Sequence, residues 1–444
     1  MALDNAGNLP LHLLLVGIST HALEPNVMLE IVTLLLSPNP TSVASISNRQ
    51  GSTVLHQACL VPESMVHRDT FQKILEANPS CAARVNNQNQ TPLSLHCRKR
   101  NAASDIAHLL IQAHPDAIPI LDGGRGWSCL HYACEQSNHD LIRTLLKFDP
   151  GAASIRTNPG MQTPLHCLCQ KNVSERHIPT IQTLLQAEPR ALIMRDTIKQ
   201  YTPLHLVCRI ARIPCSVVQC LVDCMAEAAS IPDSNNYLPI HHACDVGADP
   251  SVISCLLRAY PAGAKATTKK NDSALSLACT CNKSTETVAL LIEVNPSALK
   301  VKNDYGFVPL HSCCGAVQPR MGIVRALLVA CPESVAIRSN GGETPMHIAS
   351  GNPGTCVGVI ELLAAQYERN SDSKAKDALK ENPQMTNKVG STPCKSSTVQ
   401  LAILGSVSYS FIILLTGDNT LTHRLPLYLL STLCLLSRIS RRAY

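Results

Sequence analysis

Aromatic side chains are nearly absent from this chain: one Trp, nine Tyr and four Phe stand among 444 residues, 3% of the total. With so few rings the core is aliphatic, and each ring is informative by its position. Charge is thin too, 16% against 45% apolar residues, which fits a continuous buried seam under a thin polar surface. The net charge of +6 sits mostly at one end: residues 1–367 hold 28 Lys/Arg against 27 Asp/Glu, a difference of +1, and residues 368–444 hold 10 against 5, a difference of +5. The main body therefore lacks the basic excess that nucleic-acid binding leaves, and no nucleic-acid partner is expected. Lys269-Lys270 is too small a footprint to change that.

Catalytic signatures are missing as well. There is no HExxH, no GxSxG nucleophile elbow and no DHHC-type motif, and Gly123-Gly124-Arg125-Gly126 lacks the setting and the Lys-Ser/Thr of a phosphate-cradling loop. The apolar run Leu9 to Ile18 contains His12, follows Asp4 and has no basic flank, so it is not a convincing secretory signal. The expectation is a non-enzymatic, intracellular protein on the cytoplasmic side, with no cofactor and no metal.

What is present is repetition. Thr202-Pro203-Leu204-His205-Leu206-Val207-Cys208 has relatives along most of the sequence, anchored at His12, His56, Ser94, His131, His166, His205, His241, Ser276, His311 and His347. The anchors are 44, 38, 37, 35, 39, 36, 35, 35 and 36 residues apart, a period that means stacked supersecondary units. A solenoid grows by stacking and not by enlarging one core, so length says little about domain number. Asp4, Gly7, Pro10, Leu11 and His12 already keep the spacing, so the first unit opens at once without a polar capping unit; either a cap precedes it or another surface covers that end.

Each unit opens with a turn. Five residues before the anchor stand Gly7, Gly51, Asn89, Gly126, Asn236, Asn271, Gly306 and Gly342, with Met161 and Gln200 as exceptions. Gly and Asn tolerate positive φ, so this column marks a tight turn tip. Thr or Ser follows in seven units, often before Pro, the expected N-cap and first residue of a helix. In the sixth unit Leu204, Val207, Cys208 and Ala211 make one apolar face of that helix. A second helix ends in pairs such as Leu145-Leu146 and Leu256-Leu257; Pro79, Pro150, Pro189, Pro261, Pro296 and Pro332 then stop it and are expected to start an extended linker. The unit is turn, helix, loop, helix, linker, and the fold class is all-α.

The phrases Gln162-Thr163-Pro164-Leu165-His166, Tyr201-Thr202-Pro203-Leu204-His205 and Glu343-Thr344-Pro345-Met346-His347 resemble the ankyrin-repeat opening, and the Leu-Leu pairs resemble its second helix. About ten units would cover residues 4–367. The period is longer than the family's, about 33 residues, Pro stands where Gly usually follows helix two, and Ser94 and Ser276 replace His. The resemblance implies a helix-turn-helix solenoid with β-turn tips that binds protein partners. It also implies that the anchor His is structural, hydrogen-bonding within the turn network.

Eight of the 21 cysteines fall three residues after an anchor: Cys59, Cys97, Cys134, Cys169, Cys208, Cys244, Cys279 and Cys314. Stacked helices lie roughly 8–10 Å apart and a disulfide needs Cα atoms within about 7 Å, so this column is core packing in a reducing compartment. The same geometry argues against zinc. His131/Cys134 or His205/Cys208 would put two ligands on one helical face, but neighbouring units cannot bring a second pair close enough to close a four-ligand site.

One column does point to function. Four residues before the anchor stand Trp127, Tyr201, Tyr237 and Phe307, four of the chain's aromatics including its one Trp. The resemblance places this position on the concave, partner-contacting face, and Trp and Tyr dominate interface energies. The other reading is that each ring packs on its own turn. Gln162 and Asp272 share the column, and Arg125, Lys199, Asn235 and Asp304 flank it as rim residues.

After Tyr367 the repeat lapses. Residues 368–398 read as a polar linker or a frayed helix, with an abortive opening at Asn387 to Pro393, and residues 399–444 as an apolar, basic-flanked tail. Val399 to Thr416 is 18 residues, just inside the range for a membrane span. Leu425 to Leu436 is shorter and ends at Arg438, Arg441 and Arg442. The alternatives for 399–416 are a membrane anchor that recruits partners to a membrane, a helix packed on the last repeat, or a stretch foreign to the natural protein. The sequence names neither the partner nor an oligomeric state.

Overall fold

A computed structural model describes residues 3–17, 24–37, 39–62, 66–171 and 173–381, the side chains of Pro25 and 372–381 excepted. The regions read as an abortive repeat and an apolar tail lie outside the described residues. The chain divides into two units, residues 1–360 and 361–444.

The first unit is a stack of helix pairs. Its opening helices are Pro10–Gly17, Val54–Leu60, Pro92–Cys97, Cys129–Gln136, Pro164–Cys169, Pro203–Cys208, Pro239–Val246, Ala274–Cys281, Pro309–Gly315 and Pro345–Gly351. The second helices of the first nine are Pro25–Leu36, Arg68–Ala77, Ser104–Ala113, His139–Phe148, Ile178–Ala187, Cys215–Cys224, Pro250–Ala259, Thr285–Val294 and Met321–Ala330. Opening helices pack on opening helices and second helices on second helices, each against its sequence neighbour. Among the described residues there is no strand, only the isolated bridges Ser47–Thr53 and Thr267–Ser273. The fold is all-α.

The turn column behaves as its residue types predict. All ten positions have positive φ, from Gly342 at 79° and Gly7 at 78° to the two exceptions, Gln200 at 59° and Met161 at 52°. Neighbouring tips are bonded in a ladder: the backbone N–H of Ser234 donates to the Lys199 carbonyl (2.9 Å), Lys269 to Asn235 (2.9 Å) and Asp304 to Lys270 (3.1 Å). Equivalent bonds run from Arg49 to Ala6 through Asn340 to Tyr305. This ladder fixes the tips in one row, which is what places any side chain they carry.

Two features differ from the sequence expectation. The segment after helix two is not simply extended. Pro79, Pro115, Pro150, Pro189, Pro261, Pro296 and Pro332 each begin a short 3-10 turn, such as Pro150–Ser154, whose small residues (Ala152 and Ala153 there) are buried. Proline forces the preceding residue into the extended region, as at Asp149 (φ −139°), and its own fixed φ starts the tight helix. The second is the sixth opening helix, which stops at Cys208, leaving Ala211 exposed and outside the apolar face. The helices Pro92–Cys97 and Pro164–Cys169 stop at the same column.

In the second unit the described residues are 361–381, part of the helix Val357–Glu381. The backbone is helical across 367/368, where composition changes. No helix among the described residues is long and apolar enough to cross a membrane.

Candidate functional site

Seven of the eight anchor histidines share one bonding pattern, and it builds the surface beside them. The His sits at the third helical position, where Nδ1 accepts the N-cap backbone N–H: Thr53 to His56 at 3.1 Å, Thr202 to His205 at 3.1 Å, and Leu238 to His241 at 2.9 Å, where the cap has no hydroxyl. This is the role a Glu or Gln plays in a capping box. Because Nδ1 accepts, Nε2 carries the proton and donates to a carbonyl of the next unit: His166 to Tyr201 and His205 to Tyr237, both 3.1 Å, and His131 to Gln162, 3.0 Å. Six of the seven thus hold in place the backbone of the next unit's ring column, while His241 reaches the Ala266 carbonyl instead. Burial depresses these imidazoles to about 4 at His56, His131, His166, His205 and His241, so they are neutral. The one ring lone pair is already used, which leaves none for a metal. Ser94 imitates the cap, its hydroxyl accepting from Thr91 at 3.0 Å, without reaching the next unit.

A second column, not singled out from sequence, closes each turn. Asp122 accepts the backbone N–H of Arg125 (3.0 Å) and Trp127 (3.1 Å); Asp196 accepts Lys199 (3.1 Å) and Tyr201 (3.0 Å); Asp233 accepts Asn235 (2.7 Å) and Tyr237 (2.9 Å). Thr157, Thr268 and Asn303 do the same for Gln162, Asp272 and Phe307. In two units the free oxygen of the Asp holds the residue just after the anchor. Tyr132 donates to Asp122, and His242 Nε2 lies 2.9 Å from Asp233 Oδ2. Burial raises Asp122, yet the Tyr132 hydroxyl and the Trp127 and Arg125 amides outweigh it and hold the carboxyl below its ordinary value. Burial also lowers His242 against the pull of Asp233, so this contact is a neutral imidazole donating, not an ion pair.

The four rings of the column are half-buried, one side against the stack. Phe307 stacks on its own anchor His311 (centroids 5.3 Å apart, 4° between planes) and Tyr201 on His205 (5.9 Å, 28°). Trp127 lies 6.3 Å from His131 and 5.2 Å from Tyr132. Tyr201 and Tyr237 are joined through His242, at 5.4 Å edge-on and 5.0 Å tilted. The structure therefore brings Tyr201 and Tyr237 into one cluster, while Trp127 and Phe307 keep ring contacts within their own units. Arg125 is more than a flanking residue: its guanidinium carbon stands 5.0 Å from the Trp127 centroid and Nη1 is 3.3 Å from Glu135. Arg209, which sequence reasoning did not select, stands 5.0 Å from the Tyr201 centroid. Gln162 and Asp272 are partly exposed, and Asp272 accepts from Asn303 Nδ2 at 2.9 Å.

The cysteine column is buried throughout, no disulfide joins the described cysteines, and burial pushes Cys134, Cys169, Cys208 and Cys244 far above ordinary thiol values. Such thiols are poor nucleophiles. Among the described residues no three of His, Cys, Asp and Glu are grouped to hold a metal.

No match is found among curated proteins. Residues 96–192, which include Arg125, Trp127 and Gln162, match the family model for ankyrin repeats (3 copies), so this stretch of the chain carries ankyrin repeats.

Proposed function

We propose that the chain is a non-enzymatic scaffold whose ankyrin repeats continue beyond 96–192 through the whole period, and that protein partners dock on the row of turn tips. Ankyrin repeats are protein-interaction modules, and residues 96–192 carry them. The observation that carries the site is the placement of the ring column: Trp127, Tyr201, Tyr237 and Phe307 each give one side to an anchor His or its neighbour and stay half-exposed. A ring held on one side loses little freedom on binding, which favours it as an interface anchor. Local packing explains the held side and leaves the exposed one free for a partner. Arg125, Gln162 and Asp272 supply polar contacts around the rings.

The test is capture of partners from a cell extract by the full chain and by Trp127→Ala with Tyr201→Ala. Capture should be lost while the circular dichroism and the melt stay those of the parent. Undiminished capture by the folded double variant overturns the proposal.

A further inference from the structure

The repeats carry an internal comparison that identifies what one of these rings receives. In the fourth unit three side chains act together: Arg125, six residues before the anchor, covers Trp127, and Glu135, four residues after the anchor, holds the guanidinium at 3.3 Å. In the sixth unit Arg209, again four after the anchor, covers Tyr201 at 5.0 Å. In the seventh unit the same columns read Asn235, Tyr237 and Asp245. Ring and carboxylate are present, and the position of the covering arginine holds an asparagine. Among the described residues, cations stand over Trp127 and Tyr201, and none over Tyr237.

The surroundings of Tyr237 suit a cation from outside. Its ring is fixed by His242 at 5.0 Å, itself held by Asp233. Asp245 is exposed, and Asp272 occupies the ring column of the next unit, partly exposed with one oxygen engaged by Asn303. After burial, the charges of Asp245 and Asp272 are the main influences raising the Tyr237 hydroxyl, so both carboxylates act at this ring. A guanidinium matches this arrangement because its plane stacks on an aromatic face while its edge donates to carboxylates.

We propose that Tyr237, Asp245 and Asp272 receive an arginine side chain of the partner polypeptide, completing in the seventh unit the arginine–ring–carboxylate arrangement that the fourth unit builds from its own residues. This rests on the reading of the tips as the docking row, and it gives that row an orientation. The units with Arg125 and Arg209 are already supplied with cations, and the seventh is the one that takes a cation from the partner.

The experiment uses the full chain with ¹³C-labelled tyrosine, titrated with the peptide Gly-Ser-Arg-Ser-Gly and with the same peptide carrying neutral citrulline in place of arginine. The tyrosine signal that disappears in Tyr237→Phe should shift with the arginine peptide and stay still with the citrulline one. Asp245→Asn should weaken the response about tenfold. Asn235→Arg, on an exposed turn residue, should abolish it by filling the site as Arg125 does. Equal shifts with both peptides, or an undiminished response in either variant, overturn the proposal. Partner capture separates the two ideas: if it depends on Trp127 and Tyr201 but not on Asp245, the docking row stands and the arginine site falls.

Discussion

Acid should take this array apart through its histidines before its carboxylates titrate. His56, His131, His166, His205 and His241 are held at about 4 when folded, mainly by burial, against about 6.5 for a free imidazole. Their folded values are depressed, so the unfolded chain binds the extra protons. Their contribution is complete above about pH 7 and is lost as pH falls through 6.5 toward 4. Between about pH 7 and pH 5 each costs about 1.5–2 kcal/mol, and the five together roughly 8 kcal/mol if the stack unfolds as one unit. That is comparable with the whole stability of an ordinary domain. The structural cause is specific: a proton on Nδ1 of His205 would remove the acceptor for the Thr202 N–H, 3.1 Å away. Urea unfolding followed by circular dichroism at pH 7, 6 and 5 reads this directly. The midpoint should fall steadily, and His205→Ser, copying the residue found at 94 and 276, should be less stable at pH 7 with a pH slope shallower by about 1.4 kcal/mol per unit near pH 5. A midpoint unchanged between pH 7 and 5, or equal slopes in parent and variant, would refute the reasoning.

Other outcomes follow from particular positions. Met161 holds φ +52° with a side chain that disfavours it, so Met161→Gly should raise stability by up to about 1 kcal/mol in the same urea assay. Gly306→Ala should do the reverse and by more, because φ is +76° and a Cβ would lie 2.5 Å from the Asn340 amide nitrogen; an unchanged midpoint would contradict the turn geometry. Native alkylation with iodoacetamide should label the exposed Cys224 and Cys356 and spare Cys134, Cys208 and Cys279, as mass spectrometry would show. A membrane anchor at 399–416 requires the full chain to stay in the pellet after alkaline carbonate extraction; recovery in the supernatant rejects it.

The period, the helix pairs and the buried cysteine column were legible because each depends on one residue type at one spacing. The turn tips were legible for eight units from Gly and Asn alone. Met161 and Gln200 take the same backbone because the ladder and the helix caps on either side impose it. The acceptor column escaped notice for two reasons. Asp, Asn, Thr and Ser all perform it, and it sits nine residues before the anchor at Asp122, Thr157 and Asp196 but eight elsewhere. The 3-10 turns were hidden because proline both ends one helix and opens the next. In the ring column, sequence located the four aromatics and missed what surrounds them. Tyr132, His242 and Arg209 occupy columns that other units fill with residues such as Leu206 or Gln170, so no period advertises them.

The docking row is tested most directly by photo-crosslinking. A benzoylphenylalanine placed at Lys199 or Asn235, beside Tyr201 and Tyr237, is compared with one at Lys147 on the second helix of the fourth unit, the captured partner being present in each case. Partner adducts from 199 and 235 and none from 147 are the predicted result. Adducts from 147 alone would place the interface on the second helices and contradict the account.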